Sequence, residues 1–482
     1  MAFLFLSPAW AEDLEDISNS AQAILGDRTK LVAAVGGGVV GGGQEIEDPN
    51  IRSMSFFGGI LPSDSSIVIE SFVNGDDAAS GKGTPNLSSS PENNCGGTNQ
   101  DVNSYLIFAD PYSNKVETVL EDCSKSVTAT ASPPSSTSSS IVAGAVTVAA
   151  HKQQPTLAIG NQILPPGAMI RVGFSGNLGI QVVVSQGCRP VGPTYRVTSV
   201  SGSAISELDS TRAIDQLQMT IEDDCSAQDK EYVRTKGMTK GVLAGFYKQK
   251  DNIEKMDTQN ANPVVPDGPP EEIVPGDFVI RQMSGFQPKS GGILLCGRPT
   301  VERGDFFRFH VRSPSSALED WTKILERAKT ERLFLGRQAG EPIGALQFSC
   351  AARGEALFEK PNVDLHHVHD LLRASVDSAA KPGKNGEDQT NDCLPPVAGF
   401  FANAEISSLG NSIRMGASPD NISMQKKSFM HGYATVVAML CDYSKINNPS
   451  AHSQPDGPHS YAEASEIEAL GIMDLNSTDV WA

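Results

Sequence analysis

A pattern that occurs near both ends of this chain constrains its fold more than any other feature. An apolar run, Ala2–Leu6, is followed by Leu14, Ile17, Ala21, Ile24 and Leu25. Those steps of three and four place one apolar stripe on a helix over 12–25. A second apolar run, Leu31–Val35, then leads through glycines to Glu45-Ile46. Near the other end, "GALQFSC" (344–350), a helix-like stretch (365–376) and "PPVAGF" (395–400) lead to Glu405-Ile406. The pattern predicts two similar α/β units in one pseudo-symmetric body with a cleft between them. Its period is too long for a solenoid.

The opening "MAFLFLSPAWAEDLED" has a second meaning to weigh, because Ala9-Trp10-Ala11 looks like a leader cleavage site. A leader needs a basic start and about 7–15 apolar residues. Here no Lys or Arg precedes the run, and Ser7-Pro8 ends it. Ser7 suits a helix cap, Pro8 a first helical position, and Gly26 a helix stop. The stretch therefore predicts strand, helix, strand. A strand beginning at residue 1 also suggests that an upstream segment has been lost.

At 482 residues with 39% hydrophobic content, 45 Gly and 30 Pro, the composition is that of two or three globular domains with long loops. A net charge of −19 disfavours general nucleic-acid binding, which needs clustered cations. No apolar run approaches the roughly 18 residues of a membrane span. The eight cysteines are widely spaced and include no C-x-x-C, which predicts reduced thiols in the cytoplasm or nucleus and no structural zinc. Polar, Gly/Ser- or Pro-rich stretches at 74–101, 126–140, 260–277, 381–392 and 447–459 read as insertions and linkers.

Between these stretches the chain is rich in strand signals, at 141–150, 180–185, 277–280, 293–295 and 306–311. Asp209-Ser210 is placed to cap a helix containing Ala213, Ile214 and Leu217. Residues 316–329 form a further helix, with Leu318, Trp321, Ile324, Leu325 and Ala328 on one face.

Three motifs touch on chemistry. "GGGVVGGG" (36–43) contains G-x-G-x-x-G after a strand, but the following "QEIEDPN" lacks the helix a dinucleotide site requires. Its glycines would instead let backbone approach a ligand or a neighbouring strand. "FSCAARGE" (348–355) sets Cys350 and Arg353 at a strand end, too close together for a phosphatase loop. Arg353 could clamp a carboxylate, or pair internally next to a buried structural thiol. "LHHVHD" (365–370) places His366 and His369 on one helix face without a carboxylate at ligand spacing, so no metal is expected.

Taken in order, "LVAAVGGGVVGGGQEIED", "GCRPVGP", "ELDSTRA", "CAARG", "GFFANAEI" and "HGYATV" resemble the FIST family (F-box and intracellular signal transduction) across nearly the whole chain. The resemblance implies an N-terminal FIST module, a C-terminal FIST module, a small polar ligand such as an amino acid, and no catalysis or cofactor. It also implies signalling or ubiquitin-ligase partners. In some relatives the modules follow an F-box; none is recognisable here, and a strand at Met1 leaves no room for one.

The expected architecture is mixed α+β. Its modules span 1–245 and 276–445, joined by a linker at 246–275 and followed by an acidic tail at 446–482, with a strand-rich middle section and long polar insertions. The candidate ligand contacts are Gly36, Gly37, Gly38, Glu45, Cys350, Arg353, Gly354, Gly399, Glu405 and His431. In this scheme Arg353 holds a carboxylate, Glu45 or Glu405 holds an ammonium, and the glycines allow backbone contact. Two alternatives are a substrate-recruiting subunit of an SCF-type ubiquitin ligase and a thiol enzyme using Cys350 with His431 as base.

Overall fold

The computed structural model describes residues 1–74, 102–125, 141–202, 204–247, 278–296, 301–335, 339–377, 394–408 and 428–444. Most of the polar insertions read from the sequence, and the acidic tail, lie outside these residues. Two compact units are present: Met1–Val184 with Leu325–Ser408 and Tyr433–Ala482, and Ser185–Ile324 with Leu409–Gly432.

The first unit begins with β1 (Ala2–Leu6), α1 (Leu14–Leu25) and β2 (Leu31–Val35). A hairpin of β3 (Val39–Gly41) and β4 (Gln44–Ile46) precedes β5 (Met54–Gly58) and β6 (Ser65–Phe72). Then come β7 (Val102–Ala109), α2 (Val116–Lys125) and β8 (Ile141–Val146). They are followed by β9 (Leu157–Ile159), β10 (Gln162–Ile163), β11 (Met169–Gly176) and β12 (Leu178–Ser185).

The second unit contributes β13 (Arg189–Ser201), β14 (Ala204–Leu208), β15 (Thr211–Arg212), α3 (Ala213–Asp224), α4 (Ala227–Lys236) and α5 (Met238–Gly241). It continues with β16 (Val242–Tyr247), β17 (Val279–Phe286), β18 (Ile293–Leu295) and β19 (Phe306–Val311). After α6 (Pro314–Leu335), the chain forms β20 (Glu341–Cys350), α7 (Gly354–Phe358), α8 (Val363–Asp377), β21 (Val397–Ala402) and β22 (Ala404–Ser408). β23 (Ser428–His431) belongs to the second unit and β24 (Thr435–Asp442) to the first.

The opening segment folds as a buried central strand. β1 runs parallel to β2, with Phe5 opposite Ala34. The repeat foreseen at the two ends is present, since β20 is likewise parallel to β21 across α8. The structure adds a third copy, β7–α2–β8, whose strands are also parallel. The sequence pattern missed it because residues 75–101 and 126–140 interrupt it with polar insertions.

The three copies exchange strands in a cycle. Numbered in chain order, with β7–α2–β8 as the second copy and β20–α8–β21 as the third, β3, which follows the first copy, pairs antiparallel with β21 of the third. β22, which follows the third, pairs with β8 of the second, and β9, which follows the second, pairs with β2 of the first. The backbone repeats the same cycle. Gly37 N–H donates to Phe401 O at 2.7 Å, Asn403 N–H to Val146 O at 2.9 Å, and Val148 N–H to Val35 O at 3.0 Å.

The expected cleft between two halves is therefore corrected to a packed centre among three. The register puts Phe5, Phe108 and Phe348 at equivalent positions on β1, β7 and β20. Their ring centroids lie 6.1, 6.3 and 5.7 Å apart, and all three rings are fully buried. Offset and edge-on aromatic contacts of this kind add to the burial of apolar area.

Gly144 and Gly399 are also equivalent, opposite Ile107 and Gln347 in the adjacent strands. A Cβ at either would overlap the carbonyl oxygen of that partner. Gly399→Ala is therefore expected to lower stability by about 1–3 kcal/mol, as overpacked cores do. A denaturant titration of the folded variant checks it.

The second unit is a ring of antiparallel strands in the order β13-β19-β16-β17-β18-β14, closed by a β13–β14 pairing. Closure removes sheet edges. Phe246, Phe307, Phe309 and Leu208 help fill its core. Asp209 and Ser210 do not cap α3 as expected. Both have positive φ (48° and 62°) and turn the β14–β15 hairpin, where Leu208 pairs with Thr211. On α6, Trp321 is buried as expected, but Leu318 is exposed.

Candidate functional site

β20 alternates two kinds of side chain. Leu346 and Phe348 join the apolar core, while Gln347 and Ser349 point to the opposite face. That face is covered by α8, so both polar residues are fully buried and must find partners within the protein. The result is a continuous hydrogen-bonded chain. Gln347 Nε2 donates to Glu45 Oε1 at 2.8 Å and lies 3.0 Å from Ser349 Oγ. Ser349 Oγ meets Thr435 Oγ1 at 3.0 Å, and Thr435 donates to Asp364 Oδ2 at 2.8 Å.

Asp364 ends this chain on Arg353. Arg353 Nε and Nη2 donate to the two carboxylate oxygens at 2.6 and 3.0 Å, and both side chains have zero exposure. Arg353 Nη1 also donates to the Tyr433 carbonyl at 3.3 Å. The expected role of Arg353 as a clamp for a ligand carboxylate is thus corrected. Asp364 occupies the planar fork, a bidentate geometry that suits guanidinium and carboxylate.

Glu45 and Glu405 share the buried setting. Burial and the nearby Asp364 charge push Glu45 up to about 8, against the opposing bonds from Gln347 and the Leu365 N–H. Burial pushes Glu405 well above the usual carboxylate range, although the Ala434 N–H, the Arg353 charge and the Cys350 thiol favour its ionised form. Ala434 N–H donates to Glu405 Oε2 at 3.1 Å, while Oε1 has no hydrogen-bond partner among the described residues. Glu45 Oε2 also lacks one among these residues. With one cation and one anion paired, burial shifts both remaining acids toward their protonated forms.

Glu47 lies nearer the surface, where both of its oxygens accept from the Glu355 N–H at 2.8 and 3.1 Å. Burial, with the Glu355 and Asp364 charges, raises it to about 7.

The other expected contacts divide. Cys350 is buried at the end of β20, next to Glu405. Gly36, Gly38 and Gly399 are used for chain packing: a Cβ there would meet Phe400, the Ile46 carbonyl or the Gln347 carbonyl. Gly37 is looser, with Ala351 and Val148 beside it. Gly354 has φ +54° and faces the Glu47 carboxylate. His431, buried at the end of β23, falls in the other compact unit. Glu45 and Glu405 are not equivalent in the repeat. Glu405 lies opposite Ala145, the place that Val39 takes opposite Phe400, whereas Glu45 is one strand further out on β4.

Asp364, Gln347, Ser349 and Thr435 were not foreseen. For Gln347 and Ser349 the signal was in the sequence as polar residues alternating with apolar ones in "ALQFSC", and for Thr435 as the one polar residue of "ATVVAML". On α8, Leu365 and Val368 are buried while His366 is exposed, so the histidines do not gather. Among the described residues no group of three or more His, Cys, Asp or Glu is placed to hold a metal ion. The six described cysteines, Cys123, Cys188, Cys225, Cys296, Cys350 and Cys441, form no disulfide with one another, and Cys95 and Cys393 lie outside the described residues. No described helix is long and apolar enough to cross a membrane.

Comparison with known proteins fits this geometry. The chain is similar to uncharacterised proteins of Mycobacterium tuberculosis (strains CDC 1551 / Oshkosh and ATCC 25618 / H37Rv), each 25% identical over 338 residues, covering 70% of this chain and 68% of the relative. An uncharacterised Mycobacterium bovis protein matches at the same identity over 70% of this chain and 67% of its own. The FIST N domain model matches residues 1–211 and the FIST C domain model residues 243–408, together more than half of the chain. The protein belongs to the FIST family, whose domains are sensory modules of signal transduction.

Proposed function

We propose that the first compact unit binds a small polar ligand bearing an ammonium group, with amino acids the leading class, and does so without catalysis. The carrying observation is Glu405. This fully buried carboxyl has one oxygen without a partner among the described residues and sits on β22 just past the C-terminal end of β21, with Cys350 beside it. In α/β sheets, ligands favour the space beyond the carboxyl ends of parallel strands. An arriving ammonium would pair with Glu405 and displace its proton. Glu45 is the alternative partner for that group.

Calorimetry against a panel of amino acids tests this. One or more should bind, and a folded Glu405→Gln variant should bind at least about tenfold more weakly, the loss expected of a charge-assisted hydrogen bond. No binding by the native protein, or equal binding by the variant, counts against it. The ubiquitin-ligase reading rests on the family resemblance alone. Co-purification with Skp- and cullin-type proteins would favour it.

A further inference from the structure

Among the described residues the cyclic arrangement has one unfilled place. Each first strand of a copy carries an antiparallel neighbour: β5 on β1, β11 on β7 and β24 on β20. The strand that follows each neighbour moves to the next sheet and covers its edge. β6 follows β5 and pairs with β11, and β12 follows β11 and pairs with β24. The cycle requires a strand after β24 to pair with β5. Among the described residues none does, and β5 is the outer strand of the order β10-β9-β2-β1-β5.

The stretch that directly follows β24 is poorly suited to that place. The two strands that fill the equivalent places read SSIVIESF and LGIQVVVS, each with β-branched residues. After β24 the sequence reads YSKINNPSAHSQPDGPH, polar and with three prolines. Proline cannot donate to a ladder, and such residues are poor strand formers.

The edge itself is built to pair. Ser7 N–H bonds to Ser53 O, and Gly59 N–H to Met1 O, which fixes the phase of the β1–β5 ladder. Residues 55 and 57 then face β1, and the backbone groups of Met54, Phe56 and Gly58 face outward. Ile51 and Ile60, two of the exposed large apolar residues, flank the strand at 37% and 88% exposure.

We propose that the β5 edge is a strand-addition site for a partner protein. The partner would supply an extended segment of at least five residues, with β-branched apolar side chains like those of β6 and β12 and no proline on its pairing side. Backbone hydrogen bonds would give affinity, and Ile51 and Ile60 would add apolar contact at the ends. This gives a sensory module a surface for its output that is independent of the ligand proposal above.

Hydrogen exchange on the full chain tests it, with a lysine-flanked peptide LGIQVVVS as probe and a scrambled peptide as control. In the free protein the amides of Met54, Phe56 and Gly58 should exchange at least about tenfold faster than those of β1. The peptide should slow them, and a folded Met54→Pro or Ile60→Lys variant should lose that protection. Four results would overturn the proposal: equal protection by the scrambled peptide, peptide protection unchanged in the variants, slow exchange in the free chain that truncation after Tyr443 accelerates, or protection that rises with protein concentration. The last two would assign the edge to the chain's own tail or to a second copy.

Discussion

Asp364→Ala is expected to lower the unfolding free energy of the first unit by about 3–5 kcal/mol, the usual cost of leaving one buried charge without its partner. Arg353 would then be a cation at zero exposure whose fork has lost both carboxylate oxygens. Thr435 would lose its acceptor in the same step. The double variant Arg353→Met with Asp364→Leu removes both charges and should recover most of the loss, because desolvation offsets much of what a buried pair contributes. Denaturant unfolding of the single and double variants reads both values. A single variant within about 1 kcal/mol of the native protein would mean that water reaches the pair in solution.

Stability should also fall as pH rises from about 4.5 to about 8, through Glu45. The folded chain keeps a proton on Glu45 at pH 7 that the unfolded chain does not, so unfolding releases it. A folded-state pKa raised above its unfolded value gives stability that is complete below the ordinary value of 4.5 and is lost as pH climbs through about 8. The limiting slope for one such group is about 1.4 kcal/mol per pH unit. Glu405 shifts in the same direction and should steepen it. Glu45→Gln keeps the shape and the bond partners without the titration, so its curve should be flatter across the same window. Denaturant midpoints at half-unit pH steps read the difference, and parallel curves for variant and native protein would refute the assignment to Glu45.

These two effects meet in one polar layer, which is why this region is the candidate for ligand-linked change. The Arg353–Asp364 pair and the carboxyls of Glu45 and Glu405 are all buried. A cation paired with either acid would favour its ionised form. A coupling of that kind would let a sensory domain register its ligand as a change in charge and packing.

Much of the local structure was legible. β1, α1 and β2 followed from one apolar stripe between two short apolar runs, with Pro8 and Gly26 as punctuation. β20, α8 and β21 followed in the same way, because short-range periodicity is a property of neighbouring residues. Arg353 and Cys350 were readable as residues at a strand end, and Glu405 as a carboxylate just beyond one.

What the sequence determined by itself was this set of strand–helix–strand elements and the mixed α/β class, since the spacing of apolar side chains dictates which backbone geometry can bury them. The tertiary structure decided the rest: a third copy hidden between polar insertions, the cyclic strand exchange, the choice of Asp364 rather than a ligand for Arg353, and the upward shift of Glu45 and Glu405. Each of these depends on residues far apart in the chain. Hydrogen-bond partners and desolvation are set by what surrounds a group in space, and a linear pattern does not contain that information.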